Sequence, residues 1–441
     1  MRGKFAIPAS DYSAFIVPSK HALISTPDKF TTRPTSTVVK PEGSDEMAPW
    51  GDGNDFPQLV IKDVNQDPEL PNLLDLKARL LVSGGLEHGI LATDEKGNEI
   101  LNPVSPAIDK EIKEWKRKSN INRYLYESAL DLCWFGNSFP EIVLSQDRKK
   151  IVQLVAQAAE QCRWSKQNPK TGVIDFCFIN ANFPGPKADD VLTKRVPVLD
   201  PYYDPASNLL IGKGLNYIYP LSIPSPGSTY YQLANWNSIR ASGWLDVSRA
   251  IPKFKKSVLE KQMTIKYHIE ISDKFWGFKY DGFDSKTPEQ KAVIKETEVN
   301  NFQDILAGLE SAGSNIFTPM ITDPSTGKEF PLWKITPLDD KLKTGTFLEE
   351  GKDASLYKYA SIGVHPAILG TMPNNGLGGA GSNIREAYLL QVINGRPIQD
   401  IILEPLNTTV NFYNGWEEVT FRIKNQMMTT LDTGKETQKV K

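Results

Sequence analysis

Cysteine is nearly missing from this chain. Cys133, Cys162 and Cys177 stand apart with no CxxC spacing, which excludes a disulfide-framed scaffold and fits a reduced, intracellular set. Histidine is as scarce. His21, His88, His268 and His365 are scattered, and each reads as a packing or surface residue rather than a metal ligand. Neither sign of charge is in excess. Lys and Arg number 51, Asp and Glu 53, a formal net charge of −2. That argues against a free-standing, strongly basic nucleic-acid binder but leaves local basic faces open. No apolar run approaches the ~18 residues of a membrane span. Pro8 and Asp11 interrupt the N-terminus, so it does not read as a signal peptide. There is no internal repeat, nucleophile elbow, HExxH or kinase-type HRD/DFG pair. Glu349–Glu350 and Asp339–Asp340 are adjacent in sequence, so on a helix they point apart and suit solvation better than acid–base chemistry.

What is present falls into zones. Residues 1–58 are rich in Pro, Ser, Thr and Asp and read as an N-terminal arm, ordered where Trp50 and Phe56 can dock. The acids Asp52 and Asp55 lack calcium-loop spacing, because Phe56 falls where a ligand belongs. From about 68 to 144 the pattern is helical, with a stop at Gly84–Gly85, a charged amphipathic helix in "SPAIDKEIKEWKRKS", and a helix closed by Gly136 before a strand. Residues 150–230 read as strands and turns, and 243–269 as helix again. On that helix Ile251, Phe254, Val258 and Ile265 form an apolar stripe, with Arg249, Lys253 and Lys256 opposite. The basic side is either a solvated face with a Lys256–Glu260 pair or a nucleic-acid surface. Residues 270–345 look like an insert. Aromatic strands in "IEISDKFWGFKYDGF" lead to a helix from Pro288 and then a strand–turn–strand. A short helix over 352–362 and a long one over 384–412, kinked at Asn394, Gly395 and Pro397, complete the pattern before the strand-like "WEEVTFRIKNQ" and a polar tail.

The stretch "GTMPNNGLGGAGSNIRE" (370–386) is the densest in glycine. Gly376, Gly378 and Gly381 match G-x-G-x-x-G, yet that fingerprint needs a strand before it and a helix after it. A helix follows, with Asn383 as cap and Glu386 completing a capping box. Pro366 and Pro373 interrupt the segment before it, and no Gly-Lys-Ser/Thr is present. The stretch reads better as a long flexible loop between helices. A nucleotide-binding enzyme using Gly376–Gly381 remains the alternative.

The order of these elements resembles the portal proteins of tailed bacteriophages, over roughly residues 55–425. "DLCWFGNSFPEIV" is similar to that family's helix, Gly-Asn, strand junction, and "KKIVQLVAQAAEQCRW" to the short strands after it. The most specific piece is "ASIGVHPAILGTMPNNGLGGAGSNIREAYLLQVINGRPIQDIILEPLN". There Gly363, Val364 and Pro366 supply a Gly-Val-x-Pro turn, and Ser382–Asn383 lead into a long kinked helix.

The resemblance implies an α+β fold, a portal-type multi-domain subunit with a wing, a two-helix stem, an inserted α/β clip and a long kinked helix. On that scheme 1–58 is the arm, 59–242 the first part of the wing, 243–268 the first stem helix and 269–345 the clip. Residues 346–370 would be the second stem helix, 371–383 the tunnel loop, 384–425 the kinked wing helix and strand, and 426–441 a polar tail with the crown short or missing. The implied protein is not an enzyme and needs no cofactor or metal. It forms a homo-oligomeric ring, usually a dodecamer, at the portal vertex of a virion assembled in the host cytoplasm. Double-stranded DNA is packaged and ejected through it without sequence readout. Its expected partners are a terminase motor, the major capsid or scaffold protein and a head–tail adaptor, with no membrane. The DNA-facing candidates are Asn374, Asn375, Gly376, Leu377, Gly378, Gly379 and Gly381 in the tunnel loop, and Arg249, Lys253 and Lys256 on the stem. Another phage capsid or connector protein is a further possibility.

Overall fold

The structure, a computed structural model, describes residues 46–425 except 96, 203, 261–266, 308–317, 323–326, 328, 338–343, 370, 373–375 and 378–380. The chain divides into two compact units, Met1–Ile251 with Glu349–Lys441, and Pro252–Leu348.

The first unit opens with α1 (Phe56–Asn65) and α2 (Leu70–Val82). Between them Asp67 Oδ1 accepts from the amides of Glu69 and Leu70, both at 3.0 Å, which satisfies donors that the start of α2 cannot pair internally. The hairpin β1 (Leu86–Thr93) and β2 (Glu99–Asn102) follows. Then come α3 (Pro106–Ser119) and α4 (Ile121–Phe135), joined at Asn120 in a left-handed conformation, φ 50°. Only one face of α3 is apolar, and it buries Ile112 and Trp115. Gly136 closes α4 at φ 74°, and a Cβ there would lie 2.9 Å from the Ala234 amide nitrogen, so no side chain fits. Asn137 follows and ties this junction to Gln232 in both directions, its Oδ1 accepting at 2.9 Å and its Nδ2 donating at 2.8 Å.

Short strands come next: β3 (Asn137–Leu144), β4 (Ile151–Gln157), β5 (Cys162–Trp164), β6 (Phe176–Ile179) and β7 (Lys194–Pro197). They are followed by α5 (Pro205–Ile211), β8 (Asn216–Ile218), β9 (Leu221–Ser222), α6 (Ser238–Ala241) and α7 (Trp244–Glu260). β3 is central to one antiparallel sheet, ordered β4-β3-β8, and β5-β6-β7 make another. The buried Glu141 side chain on β3 is fully partnered, accepting from Lys194 at 2.7 Å and from Asn216 and Gln157 at 2.5 Å.

The second unit holds β10 (Tyr267–Ile271), α8 (Asp273–Lys279), α9 (Pro288–Ala307), β11 (Met320–Thr322), β12 (Glu329–Pro331) and β13 (Trp333–Pro337). β10 pairs with β13 and β11 with β12, and Phe275, Trp276, Phe283, Leu332 and Trp333 form a small core. The expected aromatic strand "DKFWGFK" is α8 instead, and the helix read through 269 gives way to β10 at Tyr267.

The chain returns through α10 (Thr344–Ile362), longer than the expected 352–362. The pair β14 (Thr371–Met372) and β15 (Gly376–Leu377) precedes α11 (Gly381–Pro405), a π-helical turn over Leu406–Val410, α12 (Asn411–Tyr413) and β16 (Val419–Ile423). β16 pairs with β1, Leu86 opposite Ile423, so the end of the described chain closes a sheet begun near its start.

Two cores fill the first unit. One packs α3, α4, β4, α11 and β16 around Leu132, Ile142, Leu406 and Phe421. The other surrounds Trp50, which stacks on Tyr231 at 4.3 Å and 7° and is also flanked by Phe56, Phe135 and Phe139. Trp50 and Phe56 dock as the sequence suggests. The three cysteines are free and buried. Burial pushes the Cys133 thiol up to about 12, so it stays protonated.

Candidate functional site

Both connections to the second unit are helical: α7 crosses the boundary at Ile251/Pro252 and α10 at Leu348/Glu349. Within the first unit these helices are rooted at the acidic α1–α2 corner. Lys358 of α10 places Nζ 2.7 Å from Asp67 Oδ2, 3.1 Å from Glu69 Oε2 and 2.6 Å from Ser248 Oγ of α7. Ser248 donates to Asp67 Oδ2 at 2.9 Å, and Ser355 donates to Glu69 at 2.9 Å. The Lys358 and Asp67 side chains are only 2% and 0% exposed. Burial alone would raise the Asp67 carboxyl. The hydrogen bond and charge of Lys358, with the amides of Leu70 and Glu69, outweigh it and hold the group below its ordinary value.

One turn away, Asp63 Oδ2 accepts from Arg240 Nε at 2.8 Å and Nη2 at 2.6 Å. Arg249 of α7 donates to the Asp63 carbonyl and lies 3.5 Å from both Asp63 Oδ1 and Asp246 Oδ1. Its side chain is 9% exposed. Arg249 therefore departs from the exposed basic face expected of it: the Asp63 carboxylate draws the guanidinium inward, where a lone charge would be costly. Lys253 and Lys256 are exposed, as read from the sequence.

α10 ends as the Gly-Val-x-Pro reading expects. Gly363 adopts φ 75°, and the amides of Gly363 and Val364 both donate to Tyr359 O. Lys77 Nζ donates to Ile362 O at 2.6 Å, a cation at the negative end of the helix.

In the glycine-rich stretch, Asn374, Asn375, Gly378 and Gly379 lie outside the described residues. Gly376 and Leu377 form β15, paired antiparallel with β14 alone. Gly381 is the first residue of α11, so Asn383 sits in the first turn rather than at the cap. A dinucleotide turn needs a strand of a parallel sheet running into the helix, and β14–β15 is an isolated antiparallel pair. Among the described residues no group of three or more His, Cys, Asp or Glu is placed to hold a metal ion, and no helix is long and apolar enough to cross a membrane.

The corner residues Asp63, Asp67, Glu69, Ser248 and Lys358 were not singled out from the sequence. A signal was available. Lys358 lies midway between Ala354 and Ile362, on the face that α10 buries. A lysine in an apolar row at helical spacing requires a buried acceptor.

No protein-family model matches this chain, and none of the curated proteins does. Solved structures do. A chain in the neck of an empty gene transfer agent particle, computed with C6 symmetry, aligns with a TM-score of 0.55 at 16% identity, covering 84% of each chain. A chain of the native gene transfer agent virion gives 0.54 at 16% identity, over 84% of this chain and 83% of that one. One in the native neck, computed with C12 symmetry, gives 0.54 at 15% identity over 85% of each. At such identities the likeness is one of fold: this chain has the mixed helix-and-sheet fold of chains in the neck and virion of gene transfer agent particles.

Proposed function

We propose that this chain is a portal-type subunit of a phage-like particle. Copies form a ring at one capsid vertex, double-stranded DNA enters and leaves through its centre, and the ring docks the packaging motor and later the head–tail adaptor. The observation that carries the reading is the fold likeness over 84% of the chain to neck chains in assemblies of C6 and C12 symmetry. The compact unit Pro252–Leu348, inserted between two helices, supports assigning the clip to 269–345 and the stem to α7 and α10. The buried corner at Asp67 and Lys358 suits that role, because it fixes the roots of both stem helices to one point. Lys253 and Lys256 are the stem cations assigned to DNA phosphates, which they contact without reading bases. Arg249 is assigned to anchoring α7. The stretch 371–383 is the tunnel loop, with Asn374, Asn375, Gly376, Leu377, Gly378, Gly379 and Gly381 facing DNA.

Negative-stain imaging of the purified protein tests this directly. Rings with a central hole, and a light-scattering mass many times 49.3 kDa, are expected. A strict monomer at every concentration and salt overturns the reading.

A further inference from the structure

Helix α11 buries one apolar face and carries a short apolar stripe on its outer side that the described residues leave uncovered. At about 100° per residue, Ala387, Gln391, Gly395, Ile398 and Ile402 fall on one side, which faces α2 and the first core. Leu389, Leu390, Ile393 and Pro397 fall within an arc of about 100° on the opposite side. Leu390 is 59% and Ile393 66% exposed. A surface helix ordinarily turns a polar face to water, and on α11 the exposed Leu390 and Ile393 interrupt that face between Glu386 and Asp400.

We infer that this outer stripe is where a second copy of the chain packs, the next subunit of the ring. The inference rests on the ring reading above. The stripe runs from Leu389 to Pro397, about 12 Å along the axis, and the acids Glu386 and Asp400 share its face. Carboxylates flanking the stripe are unsuited to a lipid surface, which favours Lys and Arg on a membrane-bound helix. An apolar centre is equally unsuited to a phosphate backbone. A protein surface fits: an apolar centre with a charged rim is the usual anatomy of an interface. The stripe alone falls short of the roughly 800 Å² per partner of a standard interface, so it is the centre of a wider contact. Rings close through heterologous contacts, so the next copy meets the stripe with a different surface.

The test is Leu390→Asp with Ile393→Asp in the full chain. Both side chains already face water, so the subunit's far-UV circular dichroism and urea midpoint stay at wild-type values. Light scattering is expected to fall from the ring mass to 49.3 kDa, while Ile393→Leu keeps the ring. A wild-type ring that persists in the double Asp variant overturns this inference alone. A wild-type chain that never forms rings overturns it together with the functional reading. So does a wild-type monomer whose form lacking residues 1–45 self-associates, which assigns the stripe to the chain's own arm.

Discussion

Replacing Lys358 with Met tests how the candidate stem is rooted. The substitution keeps the bulk of the side chain and removes the charge. Asp67 then stays in place with its side chain 0% exposed, having lost the ammonium 2.7 Å away. Removing one partner of a buried pair costs about 3–5 kcal/mol. Asp67 keeps the Leu70 and Glu69 amides at 3.0 Å and the Ser248 hydroxyl at 2.9 Å, which places the loss at the lower end, about 3 kcal/mol or roughly 150-fold in the folding equilibrium. Urea denaturation at one fixed protein concentration reads it. Adding Asp67→Asn removes the stranded charge, so the double variant is expected to lose less than the sum of the singles, by about 1–3 kcal/mol of coupling.

The pH dependence gives a second readout with a definite sign. In the native protein the Asp67 carboxyl sits below its ordinary value of 3.8. The folded state therefore binds fewer protons than the unfolded one, and the pair's contribution is full above that ordinary value. It is lost as the pH falls through the lowered native value. In Lys358→Met the two largest lowering influences are gone and burial is opposed by the Leu70 and Glu69 amides alone, so the loss of stability on acidification through this group shrinks. A variant within about 0.5 kcal/mol of wild type, or one with an unchanged acid limb, refutes the claim that the cluster is a buried, coupled ion pair.

Other outcomes follow from single positions. Gly136→Ala puts a Cβ 2.9 Å from the Ala234 nitrogen at φ 74°, and is expected to lose about 1–3 kcal/mol in the same urea assay. On the channel reading, Lys253→Gln with Lys256→Gln leaves rings intact by negative stain and changes the salt sensitivity of packaging, because each removes a phosphate contact; packaging unaltered at all salts makes that face merely solvated. On the same channel reading, Gly378→Ala, Gly379→Ala and Gly381→Ala together leave rings intact but lower DNA content per capsid, because Ala narrows the conformations open to the stretch ahead of α11. Full packaging at a normal rate removes any role for that stretch.

Features written locally in the chain were legible, and those that depend on a distant partner were not. Gly136 after an apolar helical run announces a helix end, and Gly363 before Val364 and Pro366 another; both adopt the left-handed conformation their position demands. The β16 alternation, Val419, Phe421 and Ile423 inward, is visible as a period of two. "DKFWGFK" misleads because aromatics favour strands. Ser272 ahead of it and Asp273 opening it are the helix-start signal that competes, and packing of Phe275 and Trp276 into the small core lets the helix win. Buried charges are the harder class. The Asp67–Lys358 contact spans 291 residues of sequence, and the chain states only half of it, a lysine among apolar neighbours. Arg249 shows the same limit from the other side. Its spacing against Ile251 and Phe254 describes a polar face, but spacing carries no information on whether water or Asp63 occupies the far side of that face. For a lysine or arginine on a helix, the deciding quantity is the nearest carboxylate in space. For Arg249 and Lys358 those carboxylates come from one place, the end of α1 and the link to α2, which holds α7 near its start and α10 near its end.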